Sequence, residues 1–451
     1  MSFKDLFDNE KFLCRGMLIV LITGIIIRLV LGYLFDYNND VTAWTMTIAN
    51  IDSGTGLYGV AGFYYPPVWG YMLGLFGEII EHLGVDSLGD FFTDLIFMME
   101  LYEEPSTSTP TFNFAISMFL FIGDFLCALT VYWIIDQLTQ DKKKAKMGFA
   151  LYFLGINVFV ISMMGAMFDS FSALMILLSV CLLIKGKDMM AGGMFTFAVM
   201  TKAFPVFLIF LLVAYLIKKD REHCVKRITF AAVGAIVALV ILLIPEMMTG
   251  TVMDVFSFVL SRADGSNALG LLDKLLSYGI MIVYPAIIIL EIILAAYFVK
   301  HNTENVEQSL LLFMLLATAI IFINPGTPQY LIMLMPFTII SFLLFDNRLK
   351  IPLIMLMIGS SMAHLTHFSS DMVAIVMYDG LISFDTWKTL YDINLGPDHI
   401  THIIIENVGL ITQYIATLLA GYYALDTIGI ISKLKKKLDS EEKPEETDKT
   451  I

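Results

Sequence analysis

Charged side chains are scarce in this chain. They make up 16% of its 451 residues, against about 25% in an ordinary soluble domain. Together with 58% apolar residues and a mean hydropathy of +0.78, that scarcity excludes a soluble globular protein. Positive charge is rarer still, with 28 Lys and Arg against 42 Asp and Glu for a net charge of −14, and nothing in its distribution suggests a nucleic-acid partner. Cysteine is nearly absent. The four present (Cys14, Cys127, Cys181 and Cys224) fall in apolar runs or beside basic turns, which excludes a disulfide framework. A cleavable leader is not apparent either: the run Gly16–Phe35 is long for such a segment, lacks a small-residue cleavage site, and reads as a retained anchor. Low complexity is confined to the Lys-, Glu- and Pro-containing tail from Lys433 to Ile451.

What is abundant is long apolar runs, many of the ~17–25 residues needed to cross a ~30 Å hydrocarbon core. They predict an all-α polytopic integral membrane protein of about 12 transmembrane helices, at 16–36, 111–138, 147–167, 170–186, 189–203, 204–218, 226–246, 276–299, 308–324, 328–345, 350–367 and 403–431. The pair 189–203 and 204–218 is short enough to be broken or tilted. Tyr64–Leu83 is apolar enough to compete as a further span, but counting it inverts everything downstream. Leaving it on the outer surface puts 23 of the 28 Lys and Arg in cytoplasmic segments, as the positive-inside rule requires. Both termini then face the cytoplasm, and residues 37–110 become one large extracytoplasmic loop with ten acidic and no basic residues. Two stretches of that loop, roughly 40–51 and 66–83, predict juxtamembrane amphipathic helices, with Trp44, Trp69 and Tyr71 suited to the headgroup zone. The chain thus divides into a cytoplasmic N-terminus (1–15), a first membrane module carrying the loop (16–246), a second membrane module (247–431) and a charged tail (432–451).

Ionisable groups inside such spans cost about 2.5–3.5 kcal/mol each at a helix centre, so each needs a reason. Arg28 and Asp124 predict a pair inside the bundle, the other possibility being a cavity in which Arg28 meets an anionic headgroup. Glu291 and Asp426 suggest helix packing. At the outer ends of spans, Asp169 in M-M-G-A-M-F-D and Lys202 in M-T-K-A-F-P fall on the same predicted face as Asp40. His364 and His367, and again His399 and His402, stand three apart; a metal site or a polar vestibule are the alternatives.

The ordered motifs carry a resemblance. D-S-G-T-G-L-Y precedes F-Y-Y-P-P-V-W-G-Y; then come I-G-D-F-L-C-A-L, L-Y-F-L-G-I-N-V-F-V-I-S-M-M-G-A-M-F-D-S, K-G-K-D-M-M-A-G-G-M-F-T-F-A-V-M-T-K-A-F-P and N-P-G-T-P-Q-Y-L-I-M-L-M-P-F. Over roughly residues 16–340 this succession resembles the GT-C superfamily of polytopic glycosyltransferases, nearest its mannosyltransferase branch. Asn157-Val158 and Ala166-Met167-Phe168 depart from that family's usual Asn-Pro and Gly-Gln, which leaves the sugar open.

The resemblance implies transfer of a hexose, mannose favoured, from a polyprenyl-phosphate sugar to a hydroxyl of a glycan, glycolipid or protein acceptor. It implies Asp40 as catalytic base, with Asp36 second by position. Asp169, Lys202, Arg262, Gln329 and Tyr330 are donor- or substrate-binding candidates, Asp36 among them. Read on its own, Asp40 is an N-cap before V-T-A, and Arg262 pairs with Asp264. The donor arrives activated, so no cofactor and no obligatory metal is expected. The location implied is multi-pass, in the plasma membrane of a bacterium or the endoplasmic reticulum of a eukaryote. Twelve spans with both termini inside also suit a secondary transporter, although no convincing internal repeat is present. A non-catalytic membrane assembly protein or receptor is the third reading.

Overall fold

The computed structural model describes residues 11–58, 63, 65–85, 110–256, 271–323, 328–367, 372–374 and 400–434. In chain order these form α1 (Arg15–Leu34), β1 (Phe35–Tyr37), α2 (Asn38–Asp52), α3 (Pro67–His82), α4 (Pro110–Thr139), α5 (Lys142–Phe153) and α6 (Ile156–Phe159), which runs on as a π-helical turn, Val160–Met164. Then follow α7 (Asp169–Ile184), α8 (Asp188–Thr201), a 3-10 turn Phe204–Leu208, α9 (Ile209–Lys219), α10 (Cys224–Thr249), α11 (Leu271–Lys300) and α12 (Val306–Ile321). A 3-10 turn Pro328–Met333 leads to α13 (Met335–Leu344), another, Asn347–Leu349, to α14 (Lys350–His367), and β2 (Met372–Ala374) precedes α15 (Ile400–Thr427). The one sheet among the described residues is an antiparallel ladder of β1 and β2, with Asp36 opposite Val373.

Four described helices are long and apolar enough to cross a membrane: Arg15–Leu34, Thr111–Thr139, Cys224–Thr249 and Ile403–Thr427. Lys142–Phe153 with Ile156–Met164 makes a fifth if the pair is one span, although it bends by 44° at the break. The uniform span predicted at 147–167 is therefore interrupted, at Gly155, where the backbone is extended. The shorter apolar helices Asp169–Ile184 and Val306–Ile321, at 16 residues, reach only about 24 Å at 1.5 Å per residue. Exposed apolar rows on α1 (Leu18, Ile19, Ile22, Ile26) and α10 (Ile236, Val240, Ile241, Ile244) leave a surface suited to lipid.

The two predicted loop helices form, as α2 and α3. Their aromatic residues do something other than line a headgroup zone, however. Trp44 and Trp69 are 1% and 0% exposed. Both rings pack edge-on against each other at 5.4 Å and onto Phe168, with Trp69 stacked on it at 4.5 Å. Burying so much aromatic area inside protein outweighs a place at the interface.

Contacts gather the turns into two ends. At the basic end Gln308 donates to the Leu138 carbonyl, Lys218 to the carbonyls of Phe298 and His301, Arg227 pairs with Asp188 at 2.8 Å, and Arg348 pairs with Asp346 and Asp426. At the other end Trp44 donates to the Ala166 carbonyl, the Tyr71 hydroxyl to the Leu242 carbonyl and Glu246, and Lys202 to Asp169. Helices α7 and α8 are a hairpin turned at Gly186, whose φ of +68° suits glycine. Ser179 of α7 donates to the Ala191 carbonyl, and α8 is pressed onto α10 so closely that a Cβ at Gly192 would lie 1.9 Å from the Ala231 carbonyl oxygen. That clamping brings the first residue of α7 opposite the residue that ends α8.

Candidate functional site

Those two residues are Asp169 and Lys202. Asp169 opens α7, where a carboxylate complements the helix dipole, and Lys202 caps α8 in extended conformation (φ −144°, ψ 139°). Lys202 Nζ donates to Asp169 Oδ1 at 2.7 Å, with both side chains buried. The ammonium lies over three aromatic rings, 4.5 Å from the centre of Tyr330, 4.8 Å from Phe168 and 5.7 Å from Tyr65, within the ~6 Å range of a cation–π attraction. Asp169 Oδ2, also buried, accepts no hydrogen bond among the described residues. A buried carboxylate oxygen so placed normally has a partner. The carboxylate is therefore anchored on one oxygen and unpaired on the other among the described residues.

The wall behind it is aromatic. Phe168 touches Tyr65 edge-on at 4.9 Å, and Tyr65 sits 5.8 Å from Trp44. Phe204 and Tyr330 meet at 4.8 Å on the other side. Before Phe168, Ala166 adopts φ +47°, a left-handed conformation costly for a residue with a Cβ. Its carbonyl accepts the Trp44 indole N–H at 3.3 Å, so this strained turn ties α2 to the start of α7. One residue earlier, Gly165 is required: a Cβ there would come 2.2 Å from Nε2 of the buried His364.

Asp40 is half-buried and is the third residue of α2. The helix starts at Asn38, so the N-cap expected of Asp40 does not form; it lies inside the first turn. Trp44 stands four positions further on, which puts both on one helix face, the face that meets Phe168. Asp36 lies in β1, and its side chain is outside the described residues, as is Arg262 altogether. Gln329 and Tyr330 are consecutive in the buried turn before α13, and Gln329 Oε1 accepts no hydrogen bond among the described residues. The structure thus brings Asp169, Lys202 and Tyr330 together. Tyr65 and Phe168 join them without having been marked by the sequence, although Tyr65 stands in the Y-Y-P-P step and Phe168 directly before Asp169.

Beyond the site, α3 is held by its Tyr71 hydroxyl at 3.1 Å from Glu246, whose other oxygen accepts from Thr251. Burial, and next the Glu246 carboxylate, raise the phenols of Tyr58 and Tyr71 above their ordinary range, so both remain donors. Arg28 and Asp124 pair, as expected, in a fully enclosed network. Arg28 Nε and Nη2 reach Asp124 Oδ2 at 3.3 and 3.2 Å, Nη1 donates to the Phe153 carbonyl at 2.9 Å, and the Ser162 and Ser170 hydroxyls donate to Asp124 Oδ2 and Oδ1. Asp426 pairs with Arg348, whereas Glu291 is buried with neither oxygen bonded among the described residues. Of the four histidines, His399 and the side chains of His367 and His402 lie outside the described residues. No group of three potential metal ligands occurs among those described.

No family model matches the chain, and no curated protein matches it.

Proposed function

We propose that the chain is a membrane-embedded glycosyltransferase that moves a hexose, mannose favoured, from a polyprenyl-phosphate sugar to an acceptor hydroxyl. The observation that carries this reading is the buried Asp169–Lys202 pair with one carboxylate oxygen open and three aromatic rings around the ammonium. An amphiphilic anionic donor needs such a combination: a cation for phosphate, acceptors for sugar hydroxyls and aromatic faces for the sugar ring. Lys202 has two further N–H groups beyond the one given to Asp169. Asp169 Oδ2 and Gln329 Oε1 can accept from hydroxyls, and Asp40 takes the acceptor's proton. In one displacement the acceptor oxygen bonds to the anomeric carbon as the bond to phosphate breaks, the leaving group departs as an anion, and configuration inverts. Arg262 and Asp36 complete the proposed set. In this reading the broken and short helices supply the remaining crossings of a twelve-span bundle, and the basic end faces the cytoplasm with both termini.

The breaks at Gly155 and Lys202 favour one competing reading, a secondary transporter, since discontinuous helices beside a buried charge also serve transport. Purified protein given polyprenyl-phosphate mannose or glucose and candidate acceptors decides between them. Transfer is expected for the wild type and a loss of about 10²–10⁴-fold for Asp40→Asn. Undiminished transfer by the variant refutes the assigned base. No transfer with any donor, together with solute uptake in proteoliposomes, refutes the transferase.

A further inference from the structure

At the opposite, basic end a groove of about 580 Å³ runs between α4, α7 and α8. Its walls are largely apolar, including Leu126, Leu129, Leu178 and Met194, and Trp133 and Lys185 also line it. The Lys185 ammonium sits 4.3 Å from the centre of the Trp133 ring. The side chain is exposed and has no carboxylate partner among the described residues, unlike Arg227, which takes Asp188, and Lys142, which takes Asp136. From Trp133 to Leu126 the groove follows two turns of α4, about 10 Å into the apolar part of a helix long enough to cross a membrane. Its size is within the ~300–1,000 Å³ usual for ligand pockets.

An apolar trough with one uncompensated cation at its surface end matches one class of occupant. We infer that this groove binds a phospholipid with an anionic headgroup, one acyl chain lying along Leu126 and Leu129 and the headgroup phosphate over Lys185 and Trp133. Aromatic and lysine side chains at that depth belong to the headgroup boundary. A soluble anion would leave the trough empty, and a zwitterionic lipid would bring its own ammonium to the phosphate, in competition with Lys185. The inference is independent of the transferase reading and concerns the opposite end of the bundle.

Contact quenching of Trp133 by lipids brominated in the acyl chain tests it. Full-length protein is reconstituted in phosphatidylcholine vesicles containing a rising fraction of brominated phosphatidylglycerol or, separately, brominated phosphatidylcholine, and a Trp133→Phe variant supplies the signal to subtract. Quenching is expected at about fivefold lower mole fraction of the anionic lipid, the preference one lysine near a surface gives. Lys185→Gln is expected to abolish the preference while leaving phosphatidylcholine quenching unchanged; Lys185→Arg and Lys187→Gln are expected to keep it. Equal quenching by the two lipids in the wild type overturns the inference. So does a preference that survives Lys185→Gln, or one lost equally in Lys187→Gln, which assigns it to general surface charge. If Lys185→Gln does not fold, the wild-type comparison and Lys187→Gln still decide.

Discussion

Two buried acid–base pairs among the described residues, Arg28–Asp124 and Asp169–Lys202, are built differently. Around Asp124 every oxygen is used: Arg28 donates twice, Ser162 and Ser170 donate at 2.6 and 2.5 Å, and the guanidinium stacks against Phe153 at 4.3 Å. Around Asp169 one oxygen is used and one is not, and the cation's remaining neighbours are ring faces. A closed network holds helices together, and nothing can enter it without breaking it. The second pair leaves one carboxylate oxygen without a hydrogen bond among the described residues. If the proposed function holds, the difference separates a structural use of buried charge from a binding use, in one bundle and at similar burial.

The largest expected effect belongs to the closed pair. Asp124→Ala strands the Arg28 guanidinium and two serine hydroxyls, and should cost about 3–5 kcal/mol, read as a drop in melting temperature or as loss of folded yield. Asp169→Asn keeps an acceptor for Lys202 but leaves its ammonium uncompensated, so it should also lose stability, though less than Asp124→Ala, which strands three donors, and it should lose sugar transfer. If the two variants fall equally in stability, the distinction between the pairs is broken.

Next in size is the double variant Asp169→Leu with Lys202→Met. Replacing a buried pair by apolar groups of similar size is often neutral or stabilising, so a melting temperature at or above the wild type, with no transfer, is expected. Severe destabilisation would make the pair structural, like Arg28–Asp124. Smaller again is Ala166→Gly, which relieves the left-handed turn joining α2 to α7 and should raise stability by about 1 kcal/mol. A fall would mean the alanine methyl packs in a way that outweighs its strain.

The smallest effect is at the basic end. The hydrogen bond from Arg348 holds the Asp346 carboxyl below its ordinary range. Its contribution to stability is therefore present above the carboxyl's ordinary pKa and lost as pH falls through the lower, folded value. Arg348 is half exposed, so solvent screens most of it. Between pH 7 and pH 3, Asp346→Asn should lose slightly less melting temperature than the wild type. A variant more acid-sensitive than the wild type would reverse the sign.

Much of this was legible in the residues. Helices at α2 and α3 follow from polar and apolar spacing after Asp36 and from Pro67, which starts a helix readily. The Arg28–Asp124 pair follows because two lone charges in apolar runs have few other partners. Convergence of Asp169 with Lys202 follows from a hairpin turned at Lys185–Lys187, which returns both to one end. Other features were not legible. Hydropathy counts apolar residues but does not register the bend at Gly155 or the short reach of α7 and α12, because a segment's length is cut by backbone breaks that packing decides. Trp44 and Trp69 look interfacial in composition, and only the proximity of Phe168 makes them core. Tyr65 and Phe168 carry no charge, so nothing in their own chemistry marks them as the wall around Lys202.

The most direct test of the Asp169–Lys202 pair is donor binding without turnover. A polyprenyl phosphate in detergent should raise the melting temperature of the wild type in a concentration-dependent way, as any ligand of the folded state does. The same rise should appear in Asp40→Asn, where only proton removal is lost, and disappear in Lys202→Met. Equal stabilisation of the wild type and Lys202→Met would contradict the account, because the lipid phosphate would then bind somewhere other than this pair.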